Sequence, residues 1–212
     1  MKGVSFGDFH SYRDFSLILS QKTIGAPSPK TETIDIPGGD GVLDLTEYFG
    51  ETKYNNRNLS FEFSSIVPQA FFLNQFSHIQ NALHGQKMQI VLDESPEWYY
   101  TGRISVSEWK AEKAVGKITI DCDCEPYKTK LSETVVTETV NGPKTVTLTN
   151  SKKIVVPTID ITGEVQLTFG ENFYTLAAGR YDLPAVQLVN GENTILLDGA
   201  GTATFRYYER GL

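Results

Sequence analysis

The chain has 212 residues, of which 40% are hydrophobic and 21% are charged, and its formal net charge is −7. This composition suits a packed core and excludes wholesale disorder, and the scattered lysines and arginines argue against a surface that grips phosphate. No run approaches the roughly 18 apolar residues of a membrane helix, and the N-terminus lacks the apolar segment of a secretory signal. With only two cysteines, we expect synthesis and folding in a cytoplasm.

Short alternating runs separated by turn residues make up most of the chain, which is typical of β-sandwiches and barrels. The strands predicted in the first part cover residues 15–20, 31–36, 42–46, 58–66, 88–93, 98–112 and 115–124. Those predicted in the second part cover residues 133–140, 144–149, 154–162, 164–169, 173–176, 185–189, 193–197 and 202–208. Turns are predicted at residues 141–142, 190–191 and 199–201. Leu59, Phe61 and Phe63 alternate with polar residues, which predicts a strand with one buried face.

A glycine-rich turn between two apolar runs is the most informative segment. Ile34 and Ile36 precede the turn, and its three glycines supply the positive φ angles that a hairpin loop needs. None of these residue types performs chemistry, so we interpret the hairpin as an arm that touches another molecule, such as a second copy of the chain. The residues predicted to form this subunit interface are Pro37, Gly38, Gly39, Asp40, Gly41, Val42, Leu43, Leu45 and Phe49.

One helix is predicted over residues 68–84. Pro68 suits its first turn, and Phe72, Phe76, Ile79 and Leu83 follow at spacings that place them on one apolar stripe. We expect this helix to lie across a sheet face and to cover it.

A domain boundary is predicted near residues 125–131. Pro126 breaks the preceding strand, and a charged, threonine-rich segment then opens a second series of strands. The sequence therefore predicts two all-β domains. Residues 1–128 would carry the helix and the hairpin arm at about 31–46, and residues 129–212 would form a second β-sandwich.

The residue types that commonly bind metals do not form a recognisable site. Cys122 and Cys124 point to one face of a strand, but a zinc site needs about four ligands, so we interpret them as buried thiols. Asp121 could begin a calcium loop, but Pro126 and Ser132 occupy the positions where an EF-hand needs glycine and glutamate. We predict no metal and no cofactor.

No catalytic set is predicted either. His10, His78 and His84 belong to no recognisable catalytic motif. The carboxylates at residues 93–97 lie beside aromatic residues 98–100 and could serve glycoside hydrolysis or sugar contact, although they also fit a turn between strands. The C-terminal residues 205–212 fit either a last strand or an aromatic and arginine contact surface.

A series of short motifs runs along almost the whole chain, at residues 5–15, 36–46, 54–57, 83–85, 92–93, 99–103, 190–193 and 211–212. The hairpin motif Ile-Pro-Gly-x-Asp-Gly, followed in order by the others, is fairly specific. In this order the motifs resemble the distal tail protein (Dit) family of long-tailed bacteriophages and prophages.

This resemblance implies a structural role at the tail tip, or baseplate, of a virion that is made in the cytoplasm of a bacterial host. Such proteins form a hexameric ring in which the N-terminal domain builds the ring and its hairpin reaches the neighbouring subunit. The C-terminal domain is implied to be a galectin-like β-sandwich. The implied partners are the tail tube protein, a tail-associated lysin or fibre protein and, in some phages, receptor-binding proteins. DNA would pass through the channel without specific binding, and no membrane is involved.

Two other functions stay open from the residues alone. A host-surface carbohydrate-binding module would act through the second domain, using the aromatic residues Phe173, Tyr174, Tyr181, Tyr207 and Tyr208. A cell-wall hydrolase would need a catalytic motif that the sequence lacks. The length of the chain leaves little room for an inserted saccharide-binding domain, which some members of the family carry.

Overall fold

The computed structural model describes residues 3–48, 50–112 and 115–212. The chain divides into two compact units, Met1–Pro126 and Tyr127–Leu212, which we call unit 1 and unit 2. The described residues are mostly in β-strands and include one α-helix. The all-β class with one helix that the sequence predicts is therefore confirmed.

The described residues of unit 1 form nine strands, a 3-10 turn and the α-helix. The strands are β1 (Val4–Phe6), β2 (Phe9–His10), β3 (Leu17–Ile24), β4 (Thr33–Asp35), β5 (Val42–Asp44), β6 (Arg57–Ser65), β7 (Lys87–Leu92), β8 (Trp98–Glu112) and β9 (Val115–Cys124). The 3-10 turn (Gln69–Phe71) leads directly into helix α1 (Phe72–Leu83). Seven strands pair in the order β2-β1-β7-β8-β9-β6-β3, and β4 and β5 form a separate two-stranded sheet.

Strand β6 shows why the sequence forms this sheet. Leu59, Phe61 and Phe63 are completely buried, whereas Glu62 between them is exposed. Successive side chains of a strand point to opposite faces, so one face joins the core and the other meets water. The alternation predicted from the sequence is confirmed here.

The seven-stranded sheet curls so that its two ends face each other. The ring of Phe6 on β1 lies 5.9 Å from the ring of Phe61 and 6.4 Å from the ring of Phe63, both on β6. Four strand-to-strand steps separate β1 from β6, which would be roughly 19 Å in a flat sheet. Because these rings touch, the sheet must fold over a shared core, as in a β-sandwich.

Helix α1 contacts one end of this core with its apolar stripe. Phe72, Ile79 and Leu83 are buried, and Phe76 packs against the core beside them. The ring of Trp109 on β8 lies 6.4 Å from the ring of Phe72 and 5.9 Å from that of Phe76. The helix therefore lies against the sheet along the stripe that the sequence predicts.

Unit 2 is a β-sandwich built around two long strands. Its strands are β10 (Lys128–Lys130), β11 (Thr134–Asn141), β12 (Lys144–Asn150), β13 (Thr158–Phe169), β14 (Asn172–Leu176), β15 (Gly179–Asp182), β16 (Gly191–Tyr207) and β17 (Arg210–Gly211). The first half of β16 pairs with β12 and its second half with β11, while β13 pairs first with β15 and then with β14. Strands from both halves contribute to one buried cluster, so the halves face each other.

Both long strands bend where the sequence predicts interruptions. The chain remains in strand conformation through Gly163 and from Gly199 to Gly201, although we predict separate strands on either side of these positions. A Cβ atom on Gly201 would overlap the carbonyl oxygen of Thr162, and one on Gly163 would overlap that of Ala200. Glycine is required here because two backbones approach closely, which lets a continuous strand pass from one half of the sandwich to the other.

We expect Gly201→Ala to destabilise the protein by about 2–4 kcal/mol, because the added methyl group meets a backbone carbonyl that cannot move without breaking the ladder. Denaturant unfolding measures this change. Gly142→Ala is the matched control, since that glycine also has a positive φ but no atom lies within 4 Å of the added Cβ. Equal losses for the two variants would contradict the explanation by close approach.

A half-buried carboxylate holds the C-terminal end of unit 2. Glu209 accepts hydrogen bonds from Lys130 Nζ at 2.8 Å, Thr134 Oγ1 at 2.9 Å and Ser151 Oγ at 3.0 Å. Burial alone would raise the pKa of Glu209, but these three donors outweigh it, and the pKa lies below its ordinary value. The folded chain therefore favours the ionised carboxylate. Residues 205–212 therefore include the end of β16 and the short strand β17. A last strand is one of the two interpretations that the sequence leaves open for this segment.

We expect Glu209→Gln to lower the free energy of unfolding by about 1.5–3 kcal/mol at neutral pH, because charge-assisted hydrogen bonds are lost. A lowered folded-state pKa stabilises the fold above the ordinary pKa of the group, and this contribution disappears as pH falls through the lowered value. The wild type and the variant should therefore converge in acid. Glu138→Gln, which breaks the more exposed pair with Lys144, is the control and should cost less than about 1 kcal/mol. A constant difference across pH would contradict the role of the charge.

Candidate functional site

The hairpin predicted as a subunit interface is the end of a longer two-stranded projection, residues 26–56, which we call the arm. Main-chain hydrogen bonds join its two sides from root to tip. Gly25 N donates to Asn58 O at 2.9 Å, and Lys30 N donates to Lys53 O at 2.8 Å. None of the arm residues that the structure describes belongs to the buried hydrophobic cluster of unit 1. Backbone pairing rather than side-chain packing therefore defines its local structure.

A tight turn closes the tip of the arm. Gly39 N donates to Ile36 O at 3.0 Å, and the two residues between them are Pro37 and Gly38. Gly38 has a φ of 78°, which a type II turn demands at this position and which glycine adopts without strain. Proline fixes the preceding φ and favours the same turn. The residue types that the sequence provides are those that this turn requires.

The apolar side chains of the arm are uncovered in the single chain. Val42 is 53% exposed and Leu43 is 50% exposed, and Ile34 and Ile36 are exposed to a similar degree. Strands β4 and β5 bury neither of their faces. Water-exposed aliphatic side chains on both faces of a hairpin indicate a surface that gains stability when another molecule covers it.

The structure brings most of the predicted interface residues together on this hairpin. The turn and strand residues are exposed, and the half-buried Leu45 donates its backbone N–H to Glu32 O at 2.8 Å. Phe49 lies outside the described residues. The exposed members of the predicted set are Pro37, Gly38, Gly39, Asp40, Gly41, Val42 and Leu43.

The arm is strongly acidic for its size. Residues 26–56 contain six aspartates and glutamates and two lysines, which gives a formal net charge of −4. Asp44 accepts a hydrogen bond from Thr46 N at 2.9 Å, and hydrogen bonds from the side chain and the backbone of Thr46 lower the pKa of Asp44. The arm therefore carries its exposed apolar side chains among negative charges, and another acidic surface would repel it.

A buried arginine fastens the root of the arm. Arg57 Nε donates to Gly25 O at 2.8 Å, and Arg57 Nη1 donates to Pro126 O at 3.3 Å. Its guanidinium lies 5.2 Å from the centre of the Tyr100 ring. Burial raises the pKa of Tyr100, while the charge of Arg57 acts in the opposite direction. Arg57 thus links the strand that enters the arm with the strand that leaves it.

Sequence reasoning did not assign Arg57 a role, although the alternation of β6 carries a signal. Arg57 shares strand parity with Leu59, Phe61 and Phe63, and all four are buried. A charged side chain at a core-facing position needs compensating partners. Such a residue at the end of an alternating run is therefore a candidate for an anchoring role.

The two cysteines have a structural explanation. Cys122 and Cys124 are free, completely buried and on the same face of β9, so the prediction of buried thiols is confirmed. Burial raises the pKa of both thiols, that of Cys124 to about 12, which leaves them protonated at neutral pH. Within the described part of the chain, no group of three or more His, Cys, Asp or Glu residues could hold a metal ion.

Two of the three carboxylates considered for glycoside hydrolysis, Asp93 and Glu94, make structural contacts. Asp93 Oδ2 accepts a hydrogen bond from Gly3 N at 2.7 Å and lies 3.2 Å from His10 Nε2, and Glu94 pairs with Lys22. His84 Nδ1 accepts a hydrogen bond from Val106 N at 3.1 Å. These groups join strands and a helix end.

The aromatic residues considered for saccharide binding do not form one surface. Tyr207 belongs to the core of unit 2 and donates to Thr149 O at 2.6 Å, and Tyr174 and Tyr181 pack against that core. Phe173 and Tyr208 are exposed.

No helix among the described residues is both long and apolar enough to cross a membrane.

No protein-family model and no curated protein matches the chain. A solved structure is similar over nearly its whole length: the crystal structure of SPP1 Dit (gp 19.1), described as a paradigm of the hub adsorption apparatus in phages that infect Gram-positive bacteria. Sequence identity is 14%, the TM-score is 0.68, and the match covers 98% of this chain and 99% of that chain. At the level of the fold, the resemblance predicted from the sequence motifs is confirmed.

We expect Arg57→Met to loosen the root of the arm, because two backbone carbonyl groups lose a charged donor and a ring contact is lost. The cost should be about 2–3 kcal/mol, with faster amide hydrogen exchange over residues 26–56 than in the rest of unit 1. Arg103→Met is the control, since its exposed guanidinium donates to Gly85 O away from the arm. Unchanged exchange in the arm of the Arg57 variant would contradict the anchoring role.

Proposed function

We propose that this chain is a Dit-type distal tail protein, a structural ring subunit of the tail tip of a long-tailed bacteriophage or prophage. The observation that carries the proposal is the fold match to a phage adsorption hub protein across 98% of the chain. A match of this length includes residues of both units. The sequence motifs that resemble the family support the same assignment independently.

In this proposal, unit 1 forms a homohexameric ring and the arm reaches the neighbouring subunit. A head-to-tail contact of this kind uses two different surfaces of each subunit and closes into a ring when the rotation permits it. The uncovered Val42 and Leu43 support this role, since each is about half exposed and its full burial would contribute about 0.8–1.5 kcal/mol per interface. The predicted interface set, including Leu45 and Phe49, belongs to this contact.

The ring would connect the tail tube protein to a tail-associated lysin or fibre protein, and in some phages to receptor-binding proteins. DNA would pass through its channel without specific binding, which is compatible with the net charge of −7. Unit 2 would be the galectin-like sandwich of each subunit. The role is architectural and not catalytic, and its location is the virion, after synthesis in the bacterial host.

We expect the purified wild-type chain to assemble and the double variant Val42→Asp, Leu43→Asp to remain monomeric. Two buried charges in an apolar contact would weaken it by at least 100-fold, because each carboxylate loses water without gaining a partner. Light scattering after size-exclusion chromatography measures the molar mass, and negative-stain images show whether rings form.

The matched control is Val189→Asp, Leu196→Asp, which places the same charges on side chains of unit 2 that are 47% and 51% exposed. This control should assemble like the wild type. A wild type that stays monomeric up to high concentration would contradict the proposed function, and an arm variant that assembles normally would contradict the role of the arm.

A further inference from the structure

One half of the unit 2 sandwich carries a row of side chains that crosses four neighbouring strands, β12, β16, β13 and β14. Leu196 on β16 pairs with Thr145 on one side and with Thr168 on the other. Thr168 in turn pairs with Phe173 on β14. Residues directly opposite each other on paired strands point to the same face of a sheet. These four side chains therefore form a single surface, which we call the outer row.

The outer row faces away from the core of unit 2. Phe173 is 60% exposed and Leu196 is 51% exposed, whereas Ile195 and Leu197, on either side of Leu196, are buried. The strand alternation thus directs the row outward. Its two large apolar side chains contribute little to their own core, and they offer an apolar platform to a molecule from outside.

A groove runs along the outer row and has a volume of about 330 Å³. Gln166, Lys144 and Asp198 line it beside the residues of the row. This volume lies at the lower end of the range for small-molecule sites, which combine apolar side chains with a few polar groups. The groove therefore suits a small ligand.

The polar groups of the groove are available to such a ligand. Within the described chain, the side chains of Thr145, Gln166 and Thr168 make no hydrogen bond to another residue. On the outward face of the other half of the sandwich, by contrast, the hydroxyl groups of Thr137 and Thr204 lie 3.0 Å apart and bond to each other. The outer row thus combines an apolar platform with hydrogen-bonding groups that the fold leaves unpaired.

The charges at the groove favour an uncharged ligand. Lys144 Nζ donates to Glu138 Oε2 at 2.6 Å and to Thr139 O at 3.2 Å. Asp198 Oδ1 accepts a hydrogen bond from Gly199 N at 2.8 Å. The lysine and the aspartate of the groove both have partners, and their formal charges sum to zero. A charged ligand would find no uncompensated opposite charge here.

From these observations we propose that the outer row binds a neutral saccharide. A sugar ring has an apolar C–H face, which packs on aromatic and aliphatic side chains, and hydroxyl groups that both donate and accept hydrogen bonds. The ring would lie on Phe173 and Leu196, and its hydroxyl groups would bond to Thr168 and Gln166. Of the aromatic residues considered from the sequence for saccharide binding, only Phe173 belongs to this site. The inference goes beyond the proposed function, which assigns ring formation to unit 1.

Saturation-transfer difference NMR on the full chain tests the site with defined probes. The probes are soluble oligosaccharides of glucose, galactose, rhamnose and N-acetylglucosamine at millimolar concentration, together with counterparts that contain glucuronate or glucosamine. We expect at least one neutral probe to bind, with transfer to its ring C–H protons, and its charged counterparts to bind more weakly. Absence of transfer to every neutral probe overturns the inference, as does tighter binding of the charged counterparts.

Variants locate the binding on the outer row. Phe173→Ala should weaken binding of the neutral probe at least about tenfold because the aromatic platform is lost, whereas Phe173→Trp should retain binding. Gln166→Ala should weaken it about three- to tenfold through the lost hydrogen bond, and it keeps the test open if Phe173→Ala does not fold.

The matched control is Tyr208→Ala, since Tyr208 is an aromatic residue of unit 2 that is 46% exposed and lies outside the row. This control should bind like the wild type. Undiminished binding by folded Phe173→Ala, or an equal loss in Tyr208→Ala, overturns the assignment of the site.

The outcome is separable from the proposed function because light scattering on the same samples reports assembly. A chain that assembles but binds no neutral probe overturns only this inference. A chain that binds the probe through Phe173 but stays monomeric supports the inference and overturns only the proposed ring.

Discussion

The arm is a hydrogen-bonded ladder with uncovered apolar side chains, and a hairpin of this kind is only marginally stable alone in water. Each backbone hydrogen bond contributes about 0.5–1.5 kcal/mol net, which barely offsets the entropy of ordering the residues that make it. Covering Val42 and Leu43 with another molecule would therefore add hydrophobic stabilisation that the single chain lacks. The proposed assembly is the state in which a second surface covers them.

The rest of unit 1 meets the requirements of such an arm. The arm leaves and re-enters the curled sheet at its root. There Arg57 donates a hydrogen bond to Gly25 O on the other side of the root and lies over the ring of Tyr100 on β8. The apolar residues of helix α1 are divided between an inner stripe, which serves the core, and the exposed Phe71 and Leu73.

Sequence patterns predict the structure correctly for elements that bury one face. The alternation in β6, the stripe of α1 and the turn chemistry of the arm tip all lead to the observed structure. Patterns fail at Gly163 and Gly199, because glycine marks both a turn and a bend where two backbones approach, and only the fold distinguishes them. The role of Arg57 depends on backbone carbonyls that are distant in sequence.

The central claim is that another copy of the chain covers the apolar side chains of the arm. Hydroxyl-radical footprinting of the wild-type protein, at concentrations below and above the onset of assembly, measures the solvent exposure of those side chains directly. The account predicts that oxidation of Val42 and Leu43 falls several-fold in the assembled state, while oxidation of Phe173 on unit 2 stays the same. An assembled protein whose Val42 and Leu43 are oxidised as fast as in the monomer would contradict the account.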